Sequence, residues 1–310
     1  MILDNFGIST DDLESQLGSP TVPVTPGRVA HIDADFMAYI VAADTRAEIN
    51  GEKPMRNITH KFGQIKSFAN TIARYAGAEK YVLHLTPTGS TKGGRAQQVV
   101  QQEYQGNRKS KEVIQHLIPL RSYMIDECNA IPHMDQEADD GLVQAMLDDP
   151  INNIIVSDDK DLLMAPGLHY VPRTKEFMDV AFEDFGKLDV TDKGKVVGYG
   201  PAFFFLQLIM GDTADNIKGL PLTQGAKKGV TVGPKRALAL MDGVDNVKDA
   251  FNHCRSLFNY AADGLGWEFK HWKTGAPVTA NQAMLGDMQA LWMRRDKNPL
   301  DCIEFIKENT

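Results

Sequence analysis

Three carboxylates within four residues, Glu137, Asp139 and Asp140, stand directly before the apolar-periodic run Gly141-Leu142-Val143-Gln144-Ala145-Met146-Leu147. One or two acids in a first helical turn complement the helix dipole. A third exceeds that role. Glu137 and Asp140 are three apart and share a helical face, so each raises the other's pKa unless a cation lies between them. The pattern predicts a helix from Gln136 to Leu147 with a divalent-metal site at its start.

Carboxylates recur at the ends of other predicted elements. Val29-Ala30-His31-Ile32 runs into Asp33-Ala34-Asp35, and the β-branched run Ile154-Ile155-Val156-Ser157 ends in Asp158-Asp159-Lys160-Asp161; both runs read as buried strands. Phe203 to Met210 leads into Gly211-Asp212-Thr213-Ala214-Asp215-Asn216, again with two aspartates three apart. Ligands of open α/β sheets gather at the carboxyl ends of strands, so the four clusters predict one shared pocket. Aspartate oxygens without a Cys or His pattern favour hard cations such as Mg²⁺ or Mn²⁺, and His31 and His133 read as structural. So many carboxylates exceed what one ion needs. Two ions can activate a water and stabilise the leaving oxygen of a phosphodiester.

The formal net charge of −8 argues against a non-specific nucleic-acid binder. The charges are uneven, however. Lys92, Arg95, Arg108, Lys109 and Lys111 meet only Glu103 between Thr86 and Lys111, while Lys218, Lys227, Lys228, Lys235 and Arg236 meet no acid between Asn216 and Met241. Two basic strips on an acidic body suit a polyanion guided to a metal site. Cys128, Cys254 and Cys302 lack metal-ligand spacing and read as reduced thiols. No apolar run approaches the roughly 20 residues of a membrane span, and the amino terminus lacks a signal-peptide pattern. The expectation is a cytoplasmic protein with no membrane partner.

Residues 1–28, acidic and punctuated by Pro20, Pro23 and Pro26, read as a flexible leader in which Ile2 to Leu17 can form a short helix. Residues 29–200 read as an α/β unit, a mainly parallel central sheet flanked by helices. Its strands are expected at Val29–Asp33, Lys80–Leu85, Ala130–His133, Ile154–Ser157 and Leu168–Val171. Its helices are expected at Phe36–Glu48, across Ile58 to Ala73 and at Val113–Met124, with hairpins between Phe177 and Val197 around Asp192-Lys193-Gly194-Lys195. Thr86 to Ser110 interrupts this pattern as a long polar loop. Residues 201–310 read as mostly helical, at Ala202–Met210, Gly233–Met241 with Pro234 just inside its start, Val247–Tyr260 and Ala280–Arg294.

Several of these segments, taken in order, resemble the motifs of the 5′-nuclease family, which includes flap endonucleases and phage 5′ to 3′ exonucleases. They are Ile32-Asp33, Tyr104-Gln105-Gly106-Asn107-Arg108-Lys109, Glu137-Ala138-Asp139-Asp140, Ser157-Asp158-Asp159-Lys160-Asp161-Leu162, and Met210 to Ile217 leading to Val232-Gly233-Pro234-Lys235-Arg236-Ala237. The resemblance runs from about Val29 to Leu240 and is to the phage exonuclease branch. It implies a PIN-like nuclease core, an arch at residues 86–111 and a helix-three-turn-helix at residues 215–241. Carried over to this chain, it implies that Asp33, Glu137, Asp139, Asp140, Asp159, Asp161, Asp212 and Asp215 surround two Mg²⁺ or Mn²⁺ ions. Arg108, Arg95 and Lys109 are then the catalytic cations. Lys92, Tyr104, Gln105, Lys111, Gly219, Lys227, Lys228, Gly233, Lys235 and Arg236 contact nucleic acid, with K⁺ at the helix-three-turn-helix. The implied activity is 5′ to 3′ exonuclease and flap endonuclease, in phage replication, primer removal or host DNA breakdown. Its partners are DNA with a 5′ end, flap or single-strand/duplex junction, RNA paired with DNA, and replication proteins.

Two positions depart from the family pattern. An aspartate is expected after the second strand, where this chain reads Leu85-Thr86-Pro87-Thr88-Gly89-Ser90, and a lysine is expected where Gln105 follows Tyr104. These departures keep open a branched-DNA-binding relative with weakened catalysis. A third reading, a haloacid-dehalogenase-type phosphatase with Asp33 as nucleophile, leaves the Glu137 and Asp159 clusters without a role. Each cluster also has a purely structural reading: Asp33 as a helix cap, the Glu137 group as first-turn decoration, Asp212 with Asp215 as a cap pair.

Overall fold

The computed structural model describes residues 22–43, 56–108, 114–222 and 230–310. The expected leader helix, the end of the first predicted helix, and Lys109, Lys111, Lys227 and Lys228 lie outside the described residues. In chain order the elements are β1 (Thr25–Asp33), α1 (Ala34–Ala43), α2 (Ile58–Tyr75), β2 (Ala78–Leu85), α3 (Arg95–Gln98), α4 (Leu117–Cys128), β3 (Ile131–Pro132), α5 (Ala138–Asp148), β4 (Asn153–Val156), β5 (Gly167–Val171) and β6 (Glu176–Val180). They continue as β7 (Lys187–Val190), β8 (Val196–Tyr199), α6 (Gly200–Met210), β9 (Gly211–Asp212), β10 (Ile217–Lys218), α7 (Pro234–Leu240), α8 (Val247–Asn259), α9 (Ala280–Leu291) and α10 (Asp301–Asn309). These elements fall into two compact units. Of the described residues, the first takes those up to Ser90, those within Glu112–Lys160 and Gly167–Asp179; the second takes those within Thr91–Lys111, Asp161–Pro166 and Val180–Thr310. This division differs from a single boundary near residue 200.

The first unit is built on a six-stranded sheet of order β3-β2-β1-β4-β5-β6. β1 pairs in parallel with β2 and with β4, β2 with β3, and β4 with β5. Every residue of β4 is buried, which accounts for its unbroken Asn-Ile-Ile-Val run in a sheet covered on both faces. β1 starts at Thr25, earlier than its apolar run suggests, with an irregular register between Thr25 and Val29. α2 buries Ile65, Phe68, Ala69, Ile72 and Ala73, a 3.6-residue stripe, and is capped by Asn57, whose Oδ1 accepts the His60 N–H. Lys61 is fully buried against the end of α1, where its ammonium donates to the Val41 and Ala42 carbonyls at 2.6 and 2.8 Å. A cation at a helix carboxyl terminus satisfies orphan carbonyls and the dipole together.

The second unit packs around α6, of which Gly200 through Ile209 are all buried. A helix apolar on every side belongs in a core. α6 follows the hairpin β7–β8, closed by Thr191–Lys195, and leads into the β9–β10 pair. Gly211, at φ +76°, lets the chain turn there, since a Cβ would stand 2.3 Å from the Gly219 nitrogen. The mirror-image contact, a Gly219 Cβ at 2.2 Å from the Met210 oxygen, explains that glycine structurally. Gly219, expected at the nucleic-acid interface, is therefore buried backbone. α7 begins at Pro234 as expected, and α10 is a helix that periodicity did not reveal.

The segment expected as an open arch is anchored in this second unit. Arg95 is 1% exposed and its guanidinium donates to the Ala290 carbonyl at 3.1 Å and the Trp292 carbonyl at 2.8 Å. It caps the end of α9, a structural role for the residue expected as a catalytic cation. Tyr104, expected to contact nucleic acid, is buried among the core residues. Trp292 lies in the core and donates from Nε1 to Asp301 at 2.6 Å. Among the described residues no helix is long and apolar enough to cross a membrane.

Asp287, buried in α9, accepts the Gln101 amide at 2.6 Å, yet burial pushes its carboxyl up to about 7. A folded value above the ordinary one near 4 means that ionisation opposes folding. Stability present below about pH 4 is lost as pH rises through about 7. Urea unfolding at pH 4 and pH 8 is expected to reveal a loss on the order of 4 kcal/mol in the native protein relative to Asp287→Asn.

Candidate metal centre

From β1 the sheet adds β2 and β3 on one side and β4 and β5 on the other. The chain direction thus reverses between the adjacent parallel strands β1 and β4, a topological switch point outside whose carboxyl ends ligands bind. Asp33 is the last residue of β1, and Ser157 follows β4 directly. The Ser157 hydroxyl donates to Asp33 Oδ2 at 2.9 Å and accepts the Asp159 N–H at 3.0 Å, joining the two strand ends. Asp33 Oδ1 accepts the Phe36 N–H at 3.0 Å, so the capping role open to it in the sequence is real. Asp159 is exposed at the mouth of this group.

The start of α5 faces the same edge. Glu137 is its N-cap and its N–H donates to Asp140 Oδ2 at 3.2 Å in a capping box. Asp140 is fully buried, so one of its oxygens already serves the backbone. The Ala138 N–H donates to Thr86 Oγ1 at 2.8 Å, and the Thr86 N–H donates to Asp35 Oδ2 at 3.0 Å. Thr86, at the end of β2 where an aspartate was expected, is thus a neutral acceptor for the helix end. Asp35 is paired with Arg121 at 2.6 Å, and Asp158 lies 3.6 Å from Arg173.

Electrostatics mark this group out. Burial, and then the charge of Asp35, push Asp33 up to about 6 against three hydrogen bonds. Asp139 is raised well above the carboxylate range by burial, and then by Asp33, Asp159, Glu137 and Asp35. All four neighbours are carboxylates. Among the described residues no three His, Cys, Asp or Glu side chains already stand in the arrangement of a closed metal site. The donor set fits a hard divalent cation nonetheless: oxygen ligands only, several negative charges and partial dehydration.

Beneath these carboxylates lies a feature that the sequence did not disclose, a ladder of imidazoles across neighbouring strands. His31 of β1 contacts His84 of β2 (Nδ1 to Nε2, 3.0 Å), and His84 contacts His133 beyond β3 (Nδ1 to Nε2, 2.9 Å). The Gln136 amide nitrogen meets His133 Nδ1 at 3.2 Å and exchanges reciprocal hydrogen bonds with Gln144 of α5. With Gln136 donating, the inferred tautomers have His133 and His84 each donate from Nε2 to the next ring's Nδ1. Burial, and then the flanking imidazoles, hold His84 down to about 3, and burial lowers His31. Burial thus disfavours a charge on His31 and His84.

The second unit carries the other acidic group. Asp212 accepts the Ala214 and Asp215 N–H groups at 3.3 and 3.0 Å, the cap pair open to it in the sequence. Asp215 accepts from Tyr104 (3.0 Å), Gln105 (2.8 Å) and Arg108 (2.9 Å). Gln105 also accepts from the Lys92 ammonium, so it links that cation to Asp215. Lys92 and Gln105 both hold left-handed backbone, φ +52°, which is costly for residues with side chains. Asp161 accepts the Gln207 amide at 2.5 Å. Lys235 and Arg236 are exposed on α7, as is its N-cap Gly233, and Arg236 donates to the Leu222 carbonyl at 3.1 Å.

The first unit has the PIN-like architecture of a parallel sheet flanked by helices with acids at its switch point. No protein-family model and no curated protein matches the sequence. Among solved structures, the chain is similar to the bacteriophage T5 D15 protein co-crystallised with metal ions, with TM-score 0.53 and 15% identity over 89% of this chain and 92% of that one. A pseudo-enzyme–product complex of the T5 D15 flap endonuclease with DNA and metal ions gives TM-score 0.45 at 13% identity, covering 90% of this chain and 99% of that chain. A T5 5′-exonuclease mutant gives 0.42 at 14% identity, covering 91% of each chain. At these identities the first likeness establishes a shared fold.

Raised carboxyl pKa values mean that ionisation of this group destabilises the metal-free fold as pH rises through about 6, whereas a bound cation offsets it. Millimolar Mg²⁺ at pH 8 is expected to raise the thermal midpoint by a few degrees. Asp33→Asn/Asp139→Asn, which keeps a cap residue at position 33, is expected to raise the metal-free midpoint and remove the Mg²⁺ response, as read by calorimetry.

Proposed function

We propose that this protein is a metal-dependent 5′ to 3′ exonuclease with flap endonuclease activity on DNA. The observation that carries the reading is the gathering of acids at the switch point, where burial and neighbouring carboxylates raise the proton affinity of Asp33 and Asp139. The ordered sequence motifs and the fold shared with the T5 D15 protein support it. Mg²⁺ or Mn²⁺, when bound, supplies a water of lowered pKa and neutralises charge developing on phosphate. Asp33, Asp139 and Asp159 would hold it, with Ser157 fixing the orientation of Asp33. Glu137 and Asp140 hold the start of α5, and Asp140 acts through its capping bond. The assignment of Asp161, Asp212 and Asp215 to metal rests on the sequence resemblance.

Lys92 and Arg108 are assigned to phosphates of the nucleic acid. Gln105 replaces the lysine expected beside Tyr104, and it holds the Lys92 ammonium instead of supplying its own. Lys235 and Arg236 are assigned to duplex phosphates. RNA–DNA hybrid as substrate, replication proteins as partners and K⁺ beside α7 follow from the resemblance alone.

The deciding experiment is a time course on a 5′-labelled duplex bearing a 5′ flap, with Mg²⁺, Mn²⁺ or EDTA. Short metal-dependent products support the nuclease; a flap that is bound tightly but left uncut puts the branched-DNA binder first. Lys92→Met is expected to lower kcat on the order of 10²-fold with little change in KM. Gln105→Leu should act in the same direction but less. Neutralising Lys235 and Arg236 together should reduce the slope of log Kd against log salt by about 2, measured by fluorescence anisotropy.

A further inference from the structure

We infer that the ladder His133–His84–His31, together with Gly141, is a positioning device that locks the amino-terminal turn of α5 against the sheet and so directs Asp139 towards Asp33 and Asp159. Its hold on metal affinity rests on the function proposed above; its hold on the helix does not.

The argument begins with Gly141. This glycine lies in the first turn and a half of α5, and a Cβ there would stand 2.1 Å from His133 Cε1 and 2.3 Å from Nε2. Glycine in a helix interior costs roughly 1 kcal/mol relative to alanine. Here it allows the imidazole to lie directly on the helix backbone. His133 then continues through His84 to His31, so three adjacent strands, β3, β2 and β1, bear on one helix through hydrogen bonds of 2.9 and 3.0 Å. The fourth strand closes the far end: Asn153 of β4 donates to the Ala145 carbonyl of α5 at 2.6 Å. Gln136 and Gln144 tie the segment before the helix to its second turn.

An apolar face would also bury α5, yet apolar packing tolerates sliding and rotation, while a hydrogen-bonded chain has one register. His84 is the keystone because it uses both ring nitrogens. No other side chain replaces both, since asparagine reproduces one nitrogen position and glutamine the other. The consequence falls on Asp139, two residues before Gly141 and next to Ala138, whose N–H is held by Thr86 at the end of β2. A helix rotated by a few degrees would move the Asp139 carboxylate relative to the strand ends. Groups that orient metal ligands without touching the metal are typically worth 10–100-fold in affinity.

The test uses the full chain and two variants, His84→Leu and Gly141→Ala. Gly141→Ala adds one methyl that displaces the His133 ring but removes no hydrogen-bonding group, so it reports even where His84→Leu fails to fold. Two readouts are taken: amide hydrogen exchange at Ala138 to Leu142 relative to α2 without metal, and Mn²⁺ affinity by calorimetry. The expected result is exchange at least about tenfold faster in that turn only, with Mn²⁺ bound 10–100-fold more weakly. Because both changes break one ladder, their effects in the double variant should fall well short of additive. Unchanged exchange and unchanged Mn²⁺ affinity in folded Gly141→Ala would overturn the inference. Faster exchange in a protein whose native form binds no Mn²⁺ would uphold the positioning role and reject the metal reading.

Discussion

Like charges forced together where water is scarce set the terms for the first unit. Asp33, Glu137, Asp139 and Asp159 converge on one edge of a parallel sheet because β1, β4 and the helix between β3 and β4 all deliver their ends there. Repulsion of this kind must be balanced locally or the edge would open. The surroundings supply neutral donors: the Ser157 hydroxyl, the Phe36 N–H and the backbone at the start of α5. Arg121 pairs with Asp35 beside them. These donors leave Asp33 and Asp139 with raised proton affinity.

Much of this arrangement was visible in the residues. Strands β1 and β4 announced themselves through apolar runs ending in acids, and α2 through its 3.6-residue stripe, because burial on a regular element leaves a regular trace. The acids of the cluster were legible as types and positions. Their structural duties were not separable from chemical ones, since Asp33 and Asp212 prove to be caps as well as site candidates. Capping uses one or two lone pairs and leaves others, so the two roles coexist on one side chain.

What the sequence concealed was buried polarity. Lys61 and Arg95 look like surface or functional groups when read singly, because charge ordinarily marks exposure, and His31 and His133, read as structural, did not disclose their link through the buried His84. Each is instead satisfied by a partner far along the chain: Lys61 by the end of α1, Arg95 by the end of α9, His84 by two other rings. The close approach of Gly219 to the Met210 backbone was hidden for a related reason, as backbone-to-backbone contact leaves no signature beyond the glycine itself. The basic character of residues 86–111 was real, but one of its charges is a core fastening.

That fastening carries a consequence for how the molecule assembles. Arg95 is made early in synthesis, whereas the carbonyls of Ala290 and Trp292 that receive it come 195 and 197 residues later. Until then a guanidinium and the neighbouring Val99 and Tyr104 have no completed core to enter. Contacts of such sequence separation slow folding because loop closure must precede their reward. The second unit is therefore a late folder on the ribosome, while the sheet joining β1, β2 and β4 is complete once residue 156 has emerged.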